Sequence, residues 1–273
     1  MSRIIQLSDL HVLPAPQRVS GVLNTYALLV DTIDTLLADW HKIGPIDAVV
    51  VTGDITDTGD AESYQLFRQQ IQRLPAPYFL IPGNHDRRDP MRHCFEDKAT
   101  IPPSGKINWV HDLADLRIIG LDTLIEGQGG GGLNDADLKF LSQAISTANT
   151  QPILLAMHHP PFASGMVFMD QIGLTATQPL ADILNAAPND IRVICGHVHS
   201  TIISNIGKAV AISAPATCSA FPADYRADAP AGFTSAPRGL SLHNWDQGFC
   251  TTCVTLGNSS VPHPFSSPRN ITY

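Results

Sequence analysis

Nothing in this chain approaches the ~18 consecutive apolar residues of a membrane-crossing helix. The opening Met1-Ser2-Arg3 carries one basic residue and runs straight into Ile4-Ile5. It lacks the longer apolar stretch and small-residue cleavage site of a secretion signal, so a soluble cytoplasmic protein is expected. Basic residues are scarce: 17 Lys and Arg face 25 Asp and Glu, the net charge is -8, and no basic run occurs. Long nucleic acids are met by Lys- and Arg-rich surfaces that release counterions, so no such partner is expected. Cysteine is sparse and odd in number, five in 273 residues, which argues against a disulfide framework. Cys250 and Cys253 have the spacing of a metal or redox pair, but no second pair accompanies them. The alternation from Phe249 to Leu256 reads as a strand, so both cysteines are read as packing residues.

Apolar content of 44% leaves room for a substantial core, and its periodicity divides the first half cleanly. Strands are predicted at Ile4–Ser8, Ala48–Thr52 and Tyr78–Ile81, with helices at Asn24–Trp40 and Ala61–Leu74 between them. That β-α-β-α-β order predicts an α/β fold with a parallel or mixed sheet flanked by helices. Pro90 to Val110 shows no clear period and is read as a short helix with loops. Further strands are expected at Leu116–Leu121, Ile153–Ala156 and Ile191–Cys195. A helix should start near Asn134, where Asn134 and Asp137 can satisfy free first-turn N–H groups, and another spans Thr177–Ala186. Ala209–Ser213, Gly239–His243 and Phe249–Leu256 look like antiparallel strands, and Gly257–Tyr273 like an arm or tail. The expected organisation is a catalytic core over 1–208, with 209–273 adding strands and a cap or oligomer contact to the same domain.

Five polar clusters follow the apolar runs: Asp9-Leu10-His11, Gly53-Asp54, Gly83-Asn84-His85-Asp86, Met157-His158-His159-Pro160 and Gly196-His197-Val198-His199. Asp9 and His11 lie two apart, as do His197 and His199, so at an extended strand end each pair points one way. Asp54 follows a glycine that permits a tight turn, and its two oxygens can bridge two ions. Asn84 offers a neutral oxygen where a further anion would overbind. Asp, Asn and His donors suit borderline to hard divalent metals. Two adjacent ions are a device for displacement at phosphorus. A small phosphorylated substrate is compatible with the acidic balance, because such ions supply local positive charge.

The motif series resembles the calcineurin-like metallophosphoesterase superfamily over about residues 3 to 200. Pro82–Asp86, Met157–Pro161, Cys195–His197 and Ala214–Cys218 make the chain most similar to bacterial class III cyclic nucleotide phosphodiesterases and related glycerophosphodiesterases. The resemblance implies a four-layer α/β/β/α sandwich of two mixed sheets. It also implies one metal held by Asp9, His11, Asp54 and His199, and a second by Asp54, Asn84, His158 and His197. The ions, Fe, Mn, Zn or Co, would share a hydroxide about 3.5–4 Å from metal to metal. His85 falls outside both sets and is assigned to transition-state contact or to protonating the leaving oxygen, with Asp86 orienting His85 or a neighbouring ligand. His159 is read as lying behind the ligands or touching substrate.

Phe162, Met166, Phe168 and Met169 are read either as a substrate wall or as loop packing, and Phe221, Asp224 and Tyr225 as a candidate cap. His41, His93, His111, His243 and His263 are expected in ordinary surface or core roles. The implied activity is hydrolysis of a small phosphodiester of the cyclic nucleotide or glycerophosphodiester type, with a homodimer or larger assembly. The alternatives are a phosphomonoesterase, a scaffold that has lost its chemistry, or a metal-storage protein. No membrane partner is expected.

Overall fold

The computed structural model describes residues 1–175 and 177–257. The expected tail beyond Gly257, including His263, lies outside the described residues. Strands β1 (Ser2–Leu7), β2 (Ala48–Thr52) and β3 (Tyr78–Ile81) are parallel neighbours. On the other side of β1, β10 (Arg238–Trp245) and then β11 (Phe249–Leu256) join antiparallel. The second sheet has the order β4 (Trp109–Asp112), β5 (Arg117–Leu121), β6 (Ile153–Met157), β7 (Ile191–Cys195), β9 (Ala209–Ser213) and β8 (Ile203–Ile206). Its four central strands are parallel and both edges antiparallel.

Period-2 alternation builds the layers. Ile118, Leu154 and Ile194 face the first sheet's core, whereas their neighbours Ile119, Leu155 and Val193 face the second core. Helices α1 (Thr25–Ile43) and α2 (Ala61–Ile71) cover the outer face of the first sheet. Helices α4 (Asp135–Ser146) and α6 (Thr177–Ala186) cover the second, giving the α/β/β/α sandwich. The expected cap is present: Asn134 and Asp137 form a reciprocal capping box at the start of α4. Among the described residues no helix is long and apolar enough to cross a membrane.

Three expectations change. Strand β9 lies parallel to β7, and is antiparallel only to β8. The chain leaves along β8, whose mostly exposed Ile203-Ser204-Asn205 stretch before the buried Ile206 gave no apolar run to read, and turns back at Gly207. Strand β4 was likewise hidden in the aperiodic stretch because Val110 and Asp112 of its edge strand are exposed. Cys250 and Cys253 do sit on a strand, but β11 is an edge and both thiols are exposed rather than packed. Short helices α3 (Arg88–Cys94) and α5 (Val167–Asp170) complete the described elements.

His243 of β10 fills a buried polar link between strands. Its Nε2 lies 2.9 Å from Gln6 Oε1 and its Nδ1 2.9 Å from Thr251 Oγ1. Burial, with Arg192 nearby, pushes this imidazole down to about 3. A group neutral in the folded protein but protonated when unfolded stabilises above the unfolded value and loses that contribution as pH falls. Stability should therefore decline from about pH 6.5 toward 3, by about 1.4 kcal/mol per pH unit for this one group. His243→Gln should flatten that share of the slope in urea titrations at stepped pH. An unchanged slope would remove His243 as its source.

Candidate metal centre

The motif residues gather at the carboxyl ends of five strands from both sheets. Asp9 and His11 follow β1, Asp54 follows β2, Asn84 and His85 follow β3, His158 follows β6, and His197 and His199 follow β7. Asp9, His11, Asp54, His197 and His199 all have φ between 47° and 71°. Non-glycine residues rarely adopt this left-handed region, and such strain is held where surrounding contacts over-determine it. Here the two loops brace each other. Leu10 N and His11 N both donate to Asp54 O at 2.9 Å, and Asp9 N donates to Gly53 O at 3.1 Å. Glycine is required beside them: a Cβ on Gly53 would strike the His158 ring, and one on Gly83 would strike the Asp54 carboxylate.

Asp54 stands at the junction of two donor clusters. Its Oδ2 is 3.5 Å from His11 Nε2 and 3.4 Å from His158 Nε2. On one side His199 Nε2 lies 3.3 Å from His11 Nε2 and 3.5 Å from Asp9 Oδ1. On the other, Asn84 Oδ1 lies 3.0 Å from His158 Nε2 and 2.9 Å from His197 Nδ1.

The outer ring nitrogens are occupied. His11 Nδ1 is 2.9 Å from Asp57 Oδ1, and His158 Nδ1 is 2.7 Å from the Thr52 carbonyl. His197 Nε2 is 3.1 Å from the Ile172 carbonyl, and His199 Nδ1 is 2.8 Å from Ser219 Oγ. The first three partners can only accept, so those outer nitrogens carry the proton and the inner ones keep lone pairs for a cation. This donor set fits divalent metal.

The electrostatics agree. Burial pushes the Asp9 carboxyl up to about 6, reinforced by Asp54. Asp54 is held well below the carboxylate range: burial opposes this, and the surrounding imidazoles of His158, His85 and His11 prevail. Burial and neighbouring imidazoles push His197 and His199 well down. His158 rises to about 9, because Asp54 and Asp9 outweigh its burial. Without a cation His158 is thus favoured in its protonated form beside the Asp54 carboxylate, and its inner nitrogen offers a lone pair only once a metal displaces that proton.

His85 lies at the mouth. Its Nδ1 is 2.9 Å from the Asp57 carbonyl, its ring meets His11 edge-on at 4.6 Å, and it lines a cavity of about 350 Å³. Asp86 makes no hydrogen bond to the His85 ring. Its buried carboxylate accepts from the amides of Gly83, Ile55 and Thr56, and from the hydroxyls of Thr56 and Tyr64. It ties the loop carrying Asp54 to the loop carrying Asn84.

His159 has both nitrogens engaged away from the cavity, with Thr123 Oγ1 at 2.8 Å and the Gly129 carbonyl at 3.1 Å. Burial, with His158, pushes it down to about 3, so it anchors the glycine-rich segment as a neutral ring. Phe168 and Met169 do line the cavity, whereas Phe162 packs into the second core and Met166 is buried in a small separate cluster. Of the cap candidates Phe221 reaches the cavity, while Tyr225 is exposed and Asp224 pairs with Arg226. Asp57 and Ser219 were not read from the sequence. Asp57 had a faint signal, a carboxylate three residues after Asp54 in the same turn; Ser219 had none.

A sandwich of two mixed sheets with Asp, Asn and His donors at their shared edge defines a metallophosphoesterase. The model of the calcineurin-like phosphoesterase family matches residues 2–201, and the chain belongs to that family of hydrolases. It is 32% identical over 272 residues to a probable glycerophosphodiester phosphodiesterase GpdQ from Arcobacter nitrofigilis, covering 97% of each chain. It is 31% identical over 219 residues to the 3',5'-cyclic adenosine monophosphate phosphodiesterase CpdA of Pseudomonas aeruginosa, covering 80% of this chain and 77% of that one. A dimetal phosphatase from Danio rerio shares the fold at a TM-score of 0.67 and 12% identity, over 93% of this chain and 98% of that chain.

Proposed function

We propose that this protein hydrolyses small phosphodiesters of the 3',5'-cyclic nucleotide or glycerophosphodiester type with two divalent metal ions. The observation that carries the reading is Asp54, whose single carboxylate lies between two separate donor clusters. Asp9, His11, Asp54 and His199 would hold one ion, and Asp54, Asn84, His158 and His197 the other. When bound, the ions (Fe, Mn, Zn or Co) supply Lewis-acid charge for in-line displacement at phosphorus.

The chain's own groups do the rest. Thr52, Asp57, Ile172 and Ser219 hold the four imidazoles in place from behind. The Asp57 carbonyl accepts the Nδ1 proton of His85, which leaves Nε2 free; in the imidazolium form, Nε2 would give its proton to the leaving oxygen and return to the neutral ring. Asp86 keeps the loops of Asp54 and Asn84 in register.

Preference for a diester is supported by the names of both relatives and by the cavity lining. Among its described lining residues none is Lys or Arg, so only the metals would offset substrate charge. A diester monoanion needs less such charge than a monoester dianion. With metal-defined protein, kcat/KM for bis(p-nitrophenyl) phosphate should exceed that for p-nitrophenyl phosphate by about tenfold, which is about 1.4 kcal/mol of transition-state preference. A clear monoester preference would replace this reading with a phosphomonoesterase.

A further inference from the structure

We infer that Phe221 and Phe168 form a subsite for a planar, uncharged aromatic group on one ester arm of the substrate. This inference rests on the diester reading above and selects within it: a nucleobase-bearing or aryl diester over one with a glycerol arm.

The wall is built from distant parts of the chain. Phe168, Met169 and Ile172 come from the segment around α5, Phe221 from the stretch after β9, and Val19 and Leu23 from the loop after β1. Phe221 stacks face to face on His199, with centroids 4.1 Å apart and planes 9° from parallel. Phe168 meets Phe221 edge-on at 5.5 Å and 72°. Both phenyl rings are only half-buried although they touch a small apolar cluster of Met166, Met169 and Val198. Each therefore leaves ring surface on the cavity. Stacking on His199 places the Phe221 ring next to the donors, within the reach of a group attached to the phosphorus.

The chemistry of that surface selects its occupant. A half-buried aromatic corner gains by covering with another π-system, through offset or edge-on contact and water release. A glycerol arm would bring hydroxyls against phenyl faces that offer them no hydrogen-bond partner, leaving only Ser20 of the Val19–Leu23 stretch to meet them, and unpaired polar groups cost affinity. The cavity volume of about 350 Å³ suits a small ligand rather than a polymer. The nearby cation of the late segment, Arg226, is exposed and already paired with Asp224, so it offers no competing anion site on this wall.

The test compares 3',5'-cyclic AMP with glycerophosphoethanolamine on metal-defined protein. The wild type should favour cyclic AMP in kcat/KM, and Phe221→Ala should shrink that preference about tenfold, chiefly through KM. Because Phe221 touches His199, metal content is measured alongside. Phe168→Ala, which has no ring contact with His199, should shift the ratio in the same direction, and Phe221→Tyr should restore it. A ratio unmoved by both alanine variants with metals retained would overturn the inference while leaving diester hydrolysis standing. If only monoesters are turned over, the diester reading falls. The wall is then tested by inhibition: AMP should inhibit more strongly than glycerol 3-phosphate, and Phe221→Ala should weaken AMP about tenfold. Equal inhibition by the two would overturn it.

Discussion

Asp54→Ala should cut turnover by about a thousandfold, the scale on which loss of one preorganised charge-stabilising group is felt. Metal content should fall with it, from about two ions per chain to fewer than one. The cause lies in position. Of the proposed ligands, Asp54 alone approaches both clusters, with one oxygen 3.5 Å from His11 and 3.4 Å from His158. Two divalent ions held in these neighbouring clusters would repel, and the Asp54 carboxylate would be the anion between them. Asp54→Asn keeps an oxygen donor but removes the charge, so it should retain more metal than Ala and still lose most turnover. Circular dichroism and thermal melting separate this from collapse, since Asp54 O also braces the neighbouring loop through the main chain, which the substitution leaves in place. Near-normal metal content and activity in Asp54→Ala would remove Asp54 from the junction role.

His85→Ala should behave differently: both ions stay and kcat falls by about 10²- to 10⁴-fold, the usual contribution of a positioned acid or base. His85 stands outside both donor clusters and is held through the Asp57 carbonyl. Its loss should hurt most where the leaving oxygen is an alkoxide, which needs a proton. The p-nitrophenolate group departs readily as an anion, so bis(p-nitrophenyl) phosphate should lose least. Full kcat on cyclic AMP in a two-metal His85→Ala protein would end the proton-donor assignment. Equal losses on alkyl and aryl leaving groups would shift His85 to a charge-stabilising role in the transition state.

Some features were legible because they are local. Strands β2, β3 and β6 announce themselves as uninterrupted apolar runs because both faces of each are buried, and β7 is broken only by Arg192. The polar residues that end those runs stand out against them, which is why the Asp, Asn and His clusters could be read in order. The Asn134 capping box is also a short-range pattern.

Other features depend on partners distant in sequence. His199 is oriented by Ser219, and His197 by a carbonyl at Ile172. Neither residue type advertises such a role. Asp86, expected to orient His85 or a neighbouring ligand, makes no hydrogen bond to the His85 ring and turns its side chain inward to bind the loops of Asp54 and Asn84. His159, adjoining His158, turns the opposite way for the same reason: successive side chains leaving a strand diverge. Edge strands β4 and β8 lack a fully buried face and so lack the pattern that would reveal them.

The amino-acid order alone determined the α/β class, the strand ends that carry donors and the residue types available to bind metal. Only the tertiary structure decided that Asp57 stands behind His11, that Ser219 stands behind His199, and that β9 lies parallel to β7. It also turned Cys250 and Cys253 to solvent and brought Phe168 against Phe221. Periodicity reports which face of an element is apolar; it carries no information about which distant element comes to rest beside it.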